Sequence, residues 1–427
     1  MFRLRKTVAL ALILVVVPAA ALAASGPSTV PGAWRKLPAA PFAVPQGLTS
    51  VWTGKQLIVF GRRPVMNPSV DVAEAYDPAT DAWSRLSPPA GPGYVPGYKA
   101  VWTGKQMLVF GAFHSVAFTP VTNAWRELRK SVPGGIVVWT GREAIGWGGG
   151  CCGDAWSNGA AYNPATNKYR NLAHSPLAPE QRPIGAWTGR ELVLFVSGLN
   201  PADGKPWPAR LARAAAYNPA TDTWRRIARL PGTGLRFSGT AVWDGRELLV
   251  VGAGENAQSA YAYNPATNRW RRLAPLPAVR STANAVWDGR EVLIVGGTGA
   301  PRARTGVPSP AAVGFAYNPG TNRWRRLPRM EAGRAGAAAV WTGKRLLIWG
   351  GTTSTPSGVK LVTPNQGLAY DPKANRWSPL PGAPLLGRLD PTAVWTGQAM
   401  IVWGGHRPAI PEGRVFADGA AFRPSTP

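Results

Sequence analysis

Short apolar runs recur along this chain, each four or five residues long, each closing on glycine and each set between polar, turn-forming residues. "QLIVFG", "QMLVFG", "ELLVVG", "EVLIVGG", "RLLIWGG" and "AMIVWGG" are six of them. They are β-branched or aromatic, too short for helices and bounded by Gly and Pro, so they predict strands. Before each run stands V-W-T-G-K or a close variant, whose tryptophan is Trp52, Trp102, Trp139, Trp187, Trp243, Trp287, Trp341 and Trp395. Thr-Gly or Asp-Gly at this point predicts a tight hairpin, because glycine tolerates positive φ.

A third element carries an aromatic residue and then a turn, as in "AYDPATDAW". Its aromatics are Tyr76, Phe118, Tyr162, Tyr217, Tyr263, Tyr317, Tyr370 and Phe422. Pro fixes φ in that turn, while Asn and Thr side chains bond nearby backbone. A fourth strand begins at the next aromatic: Trp83, Trp125, Tyr169, Trp224, Trp270, Trp324 and Trp377. The repeat is therefore a four-stranded antiparallel meander of about 50 residues, a length that fits one blade of a β-propeller.

The eighth copy ends at "GAAFRPSTP", just short of its fourth strand. An unmatched fourth strand, "GAWRKLP" with Trp34, stands near the other end of the chain. Trp34–Leu37 is expected to pair beside Phe416–Phe422 and close a ring of eight blades without a covalent bond. Residues 34–427 then form the propeller and 24–33 a short segment before it.

"YNPATNRW" and "YNPGTNRW", with the glycine-ended second strand, resemble the kelch repeat. The resemblance covers nearly all of the chain after its first residues and implies an all-β, kelch-like propeller. Galactose oxidase has a kelch-type propeller and binds copper through Tyr and His. No Tyr-His pair appears here, which argues against that activity; no cofactor and no metal site is expected. The histidines His114, His174 and His406 are scattered.

Residues 1–23 read as an export signal. Arg3, Arg5 and Lys6 precede an apolar run from Thr7 to Val17, and small residues flank a cut after Ala23. That predicts a secreted or periplasmic protein with no membrane span after cleavage. The formal net charge of +27 would draw polyanions, though Ala-, Gly-, Pro- and Arg-rich composition gives the same number with no partner implied. Arginines on the fourth strands, as in "NRWRRL", are expected to cover apolar surface and discourage edge pairing.

Candidate chemistry lies off the repeat. The repeat absorbs eighteen of the 20 tryptophans and leaves Trp156 and Trp207. Alternating strand direction puts the 1–2 and 3–4 turns on one face of the disc and the variable 2–3 and 4–1 loops on the other, where binding residues tend to sit. Trp156 and Trp207 lie on this second face, either to stack on a sugar or peptide or to pack their own loops. Arg236, Arg280, Arg334 and Arg388 each stand seven residues before a hairpin tryptophan, and Arg182 stands five before its own. In kelch domains arginines placed here resemble those lining the central mouth. They would suit a carboxylate, sulfate or phosphate, or else bond neighbouring loop carbonyls. His406 joins the candidates on this face.

Cys151 and Cys152 are adjacent in "GGGCCGD". A vicinal disulfide, free thiols, a soft-metal site and an intermolecular bridge all fit. Off-repeat acids such as Asp71, Asp154, Asp203, Glu255 and Glu412 read mostly as solvated loop residues. Three functions follow. The first is a binding module for a protein partner or an anionic glycan. The second is a carbohydrate-active enzyme on the same face, such as a sugar mutarotase resembling the kelch-type sialic acid epimerases. The third is a structural cell-envelope protein.

Overall fold

The computed structural model describes residues 29–425 apart from 42–45, 64–69, 90–96, 112–113, 151–152, 229–239, 252–257, 281, 302–307, 355–360 and 408–413. Eight four-stranded antiparallel sheets make up an eight-bladed β-propeller, and among the described residues there is no helix. Blade 1 runs Gln46–Trp52, Leu57–Arg63, Val70–Asp77 and Ala82–Leu86 from the innermost strand outward. Blade 6 runs Asn284–Trp287, Val292–Val295, Val313–Asn318 and Arg323–Arg329.

The repeated aromatics fall into one row across each blade. In blade 1, Trp52 stands opposite Leu57, Leu57 opposite Tyr76, and Tyr76 opposite Trp83. In blade 8 the row is Trp395, Met400, Phe422 and Trp34. The ring therefore closes as the sequence predicts. The closing strands are Gly32–Lys36 and Gly419–Pro424, so the pairing starts two residues ahead of Trp34. Phe416 stays outside the strand and lies under the Arg388 guanidinium, 3.9 Å from its ring centroid.

Each second strand is buried on both sides, because it lies between neighbouring blades. The core is accordingly divided into eight apolar clusters, one per blade interface. Trp147 and Trp403, at the ends of second strands, and Trp349, within one, are among the largest side chains fully buried.

The two faces differ. On the turn face, each 1–2 hairpin places Gly at the first central position with positive φ, for example Gly54 at 91°. This is the arrangement that matches the strand twist. The preceding Thr or Asp caps the turn: Thr53 Oγ1 accepts from the Lys55 and Gln56 amides at 3.2 and 2.8 Å. In the 3–4 turns, Asn or Asp takes the left-handed conformation, as Asn268 does at φ 53°. On the loop face the 2–3 connections of blades 6, 7 and 8 extend into small ribbons, such as His406–Arg407 with Arg414–Val415.

Candidate functional site

The candidate loop-face residues belong to several different blades. Blades 3 and 4 carry Trp156, Arg182 and Trp207. The Trp156 amide donates to Gly149 at 2.9 Å and its carbonyl accepts from Glu180 at 3.0 Å, so a 41% exposed indole is held on a fixed backbone. Glu180 is buried and accepts from both the amide and the hydroxyl of Ser197 at 3.0 Å. It also takes the Arg182 amide at 3.1 Å, leaving the Arg182 side chain exposed. Trp207 packs against the apolar cluster between blades 3 and 4.

Arg280 and Arg334, where loops run into the innermost strands of blades 6 and 7, are both buried. Arg280 donates Nη1 to the Val279 carbonyl at 2.7 Å and Nη2 to the Val313 carbonyl, and it lies 4.9 Å from the Phe315 ring centroid. These are the neighbouring loop carbonyls and ring faces a buried guanidinium needs. Burial, then repulsion from Arg326, holds the Arg280 pKa below the usual arginine value. Burial does the same to Arg334, with Glu331 opposing it. The Nε of each is buried without a hydrogen-bond partner among the described residues.

Arg388 is 0% exposed. It donates to the carbonyls of Leu386, Gly404 and Asp418 at 2.9, 3.1 and 3.1 Å, and to the Asp418 carboxylate at 2.6 Å. Burial lowers its pKa while Asp418 raises it. That geometry makes Arg388 a tie between the blade 7–8 loop and the second and third strands of blade 8. His406 joins the same loop through its backbone, exchanging hydrogen bonds with Leu389 at 2.9 and 2.7 Å. Leu386, on the Arg388 loop, and Val362 and Val415, on the 2–3 connections of blades 7 and 8, are exposed. Arg236, Cys151, Cys152, Glu255, Glu412 and residues 1–23 lie outside the described residues.

One cluster went unanticipated. Asp71 is buried between blades 1 and 2, not solvated. Its Oδ1 accepts from Arg62 Nε and the Tyr98 hydroxyl, both at 2.8 Å, and its Oδ2 meets His114 Nδ1 at 2.9 Å. Burial, then Asp71, pushes the Tyr98 hydroxyl above its ordinary value. Arg62 and Asp71 face each other on the second and third strands of blade 1, while Tyr98 and His114 come from two loops of blade 2, so no local motif announces the four together. Their chemistry is to satisfy one another in a blade seam. Among the described residues, no three His, Cys, Asp or Glu side chains gather as a metal site.

The fourth-strand arginines also differ from expectation. The residue directly after the aromatic does not face solvent along an edge; it reaches into the next blade. Arg225 donates Nη1 to the Tyr263 hydroxyl at 2.8 Å and holds Glu191 of its own blade at 2.6 Å. The second arginine of the pair, such as Arg226 or Arg272, is the exposed one.

Ring closure, blade rows and turn chemistry define a kelch-like eight-bladed β-propeller. No protein-family model matches the chain. A stretch of 73 residues, 17% of the chain, is 42% identical to an F-box/kelch-repeat protein of Arabidopsis thaliana. The match spans 19% of that protein's length. No helix among the described residues is long and apolar enough to cross a membrane.

Proposed function

We propose that this propeller is an exported binding module that holds a protein partner on its loop face. The observation that carries this reading is where exposed apolar surface lies. Five large hydrophobic side chains are exposed among the described residues, and Trp156, Val362, Leu386 and Val415 are on the loop face. Leu386 (50% exposed) has its carbonyl bonded by Arg388, and Val415 (48%) directly precedes Phe416, on whose ring Arg388 stacks. Arg407 and Arg414 are exposed beside them. Apolar side chains held on a rigid base with cations at the rim favour a partner segment with an apolar anchor next to carboxylates. Kelch propellers generally mediate protein interactions, and the short identity to a kelch-repeat protein agrees with that class.

Export rests on the basic, apolar and small-residue succession of residues 1–23. Intact-mass measurement of the purified product tests it: a mature chain beginning at Ala24 is expected, and a retained leader in the cytosolic fraction would end the idea. Binding is tested by selecting displayed random peptides on the wild type and re-probing them on Leu386→Asp plus Val415→Asp. Peptides pairing apolar and acidic residues are expected to lose roughly tenfold or more in affinity on the variant. Equal binding to both proteins would move the site elsewhere. If anionic glycans on an array bind and no peptide does, a glycan takes the place of the protein partner.

A further inference from the structure

The turn face carries a charge pattern that the repeat chemistry leaves unused. The residue after the hairpin glycine is basic in seven blades: Lys55, Lys105, Arg142, Arg190, Arg246, Arg290 and Lys344. All seven are exposed. In blade 8 the position is Gln398, and Arg423 donates Nη2 to its Oε1 at 2.6 Å, bringing a guanidinium to the eighth turn. Because the 1–2 turn is the same length in every blade and follows the innermost strand, these cations encircle the central axis at one height. Lys168, Arg269, Arg323 and Arg376, at the starts of fourth strands, add exposed cations further out on the same face.

The carboxylates of this face are already engaged. Glu143, Glu191, Glu247 and Glu291 pair with Arg170, Arg225, Arg271 and Arg325 at 2.6–2.7 Å. Asp371 pairs with Arg345 at 3.2 Å. Asp244 and Asp288 cap their own turns, accepting from the amides of Glu247 and Glu291 at 2.6 Å. Among the described residues, only Arg246 of the seven has a carboxylate nearby, Glu247 at 3.9 Å. Asp81 and Asp222, in two 3–4 turns, are 43% and 47% exposed but pair with Arg35 and Arg170, so the excess charge on this face is positive.

We propose that the turn face docks on an anionic lipid bilayer. The cations form a ring at one height, complementary to a flat sheet of mobile anionic headgroups. The turn tips stand open: at all eight hairpin glycines, from Gly54 to Gly397, nothing lies within 4 Å of where a Cβ would be. One apolar side chain, Val121, stands 95% exposed at the tip of the blade 2 3–4 turn, on this same face, where it would enter the interfacial layer. The peptide-binding loop face would then point away from the membrane.

The test is co-sedimentation with vesicles of pure phosphatidylcholine and of equal parts phosphatidylcholine and phosphatidylglycerol. Binding is expected to the anionic vesicles alone and to disappear at about 1 M salt, where the screening length shrinks to ~3 Å. Neutralising four turn residues (Lys55→Gln, Lys105→Gln, Arg290→Gln, Lys344→Gln) is expected to weaken partition by roughly tenfold or more. A control removes the same net charge elsewhere: Arg226→Gln, Arg272→Gln, Arg407→Gln and Arg414→Gln. It is expected to bind within about twofold of wild type, with folding of both variants checked by their melts. Val121→Asp is expected to weaken vesicle binding beyond its single charge. Equal losses in the two charge variants would reduce the effect to net charge and overturn the ring. No binding to anionic vesicles overturns the proposal outright, as does binding to soluble dextran sulfate that depends on the same four residues while vesicles fail.

Discussion

Arg271 of blade 5 donates Nη1 to the hydroxyl of Tyr317 in blade 6 at 2.9 Å, while its Nη2 holds Glu247 of its own blade at 2.7 Å. Tyr317 in turn donates to Asn322 at 2.7 Å, the residue in the left-handed conformation of its turn. The same staple joins Arg170 to Tyr217, Arg225 to Tyr263 and Arg325 to Tyr370. Arg126 reaches Tyr162 and Arg35 reaches Tyr76. Where the position holds Ser84 or Ser378, the next blade carries Phe118 or Phe422, which has no hydroxyl to satisfy. Donor and acceptor are present together or absent together, because either alone leaves a half-buried polar group without its partner.

That pairing sets a double-mutant cycle. Arg271→Ser is expected to cost roughly 2–4 kcal/mol, since it takes the hydrogen-bonded cation from Glu247, 5% exposed, and leaves it only the distant Arg246. Tyr317→Phe alone is expected to cost about 1 kcal/mol. The double variant, which copies Ser84–Phe118, should cost less than the sum. Urea denaturation of the four proteins measures this, and strict additivity would mean the staple is not one unit.

High pH should open the ring. Burial, then the hydrogen bond to Asp81, pushes the Tyr76 hydroxyl from 10.0 to about 12. Tyr217, Tyr263, Tyr317 and Tyr370 are also raised, burial being the first cause. A phenol whose folded pKa exceeds its unfolded value binds its proton more tightly when folded. Its stabilisation is complete below pH 10 and is lost between there and the raised pKa. Melting temperature is expected to hold through pH 9 and fall steeply above pH 10. Phenolate absorbance should appear together with unfolding, so early phenolate in a folded ring would contradict this reading.

Trp34 closes the ring from outside the continuous repeat. Its indole donates to the Pro381 carbonyl at 2.9 Å and meets the Phe422 and Trp349 rings at 5.3 and 6.1 Å. Trp34→Ala is expected to cost about 3 kcal/mol. Calorimetry measures it, and a melt within about 1 °C of wild type would show that this pairing does not hold the ring.

Arg388 should behave as a tie rather than a surface charge. Arg388→Ala removes four hydrogen bonds and the stack on Phe416, with an expected cost of about 3 kcal/mol. Arg388→Met keeps the packing and should recover part of that. Because Leu386 sits on this loop, peptide binding should weaken in both variants even where the melt is partly restored. Unchanged binding would separate the tie from the patch.

Much of the fold was legible because the repeat speaks eight times. Trp52–Leu57–Tyr76–Trp83 is a local pattern copied along the chain, and the missing last strand pointed to Trp34. The candidate site was less legible. Arg280, Arg334 and Arg388 share one sequence position, yet Arg280 turns to the carbonyls of Val279 and Val313 while Arg388 turns to Asp418. Loops of different length surround each, so the same residue finds different partners.

The sequence by itself determined the blades, their number, the turn glycines and the closing strand. Backbone period, turn stereochemistry and apolar burial act within about 50 residues and leave their mark on every copy. Only the tertiary structure decided that the fourth-strand arginines cross to the next blade, that Asp71 is buried against Tyr98 and His114, and that Arg388 stacks on Phe416 while bonding the Leu386 carbonyl. Those pairings depend on how neighbouring blades twist and where loops of unequal length fold back. Such contacts join residues far apart in the chain, whose partners no local pattern names.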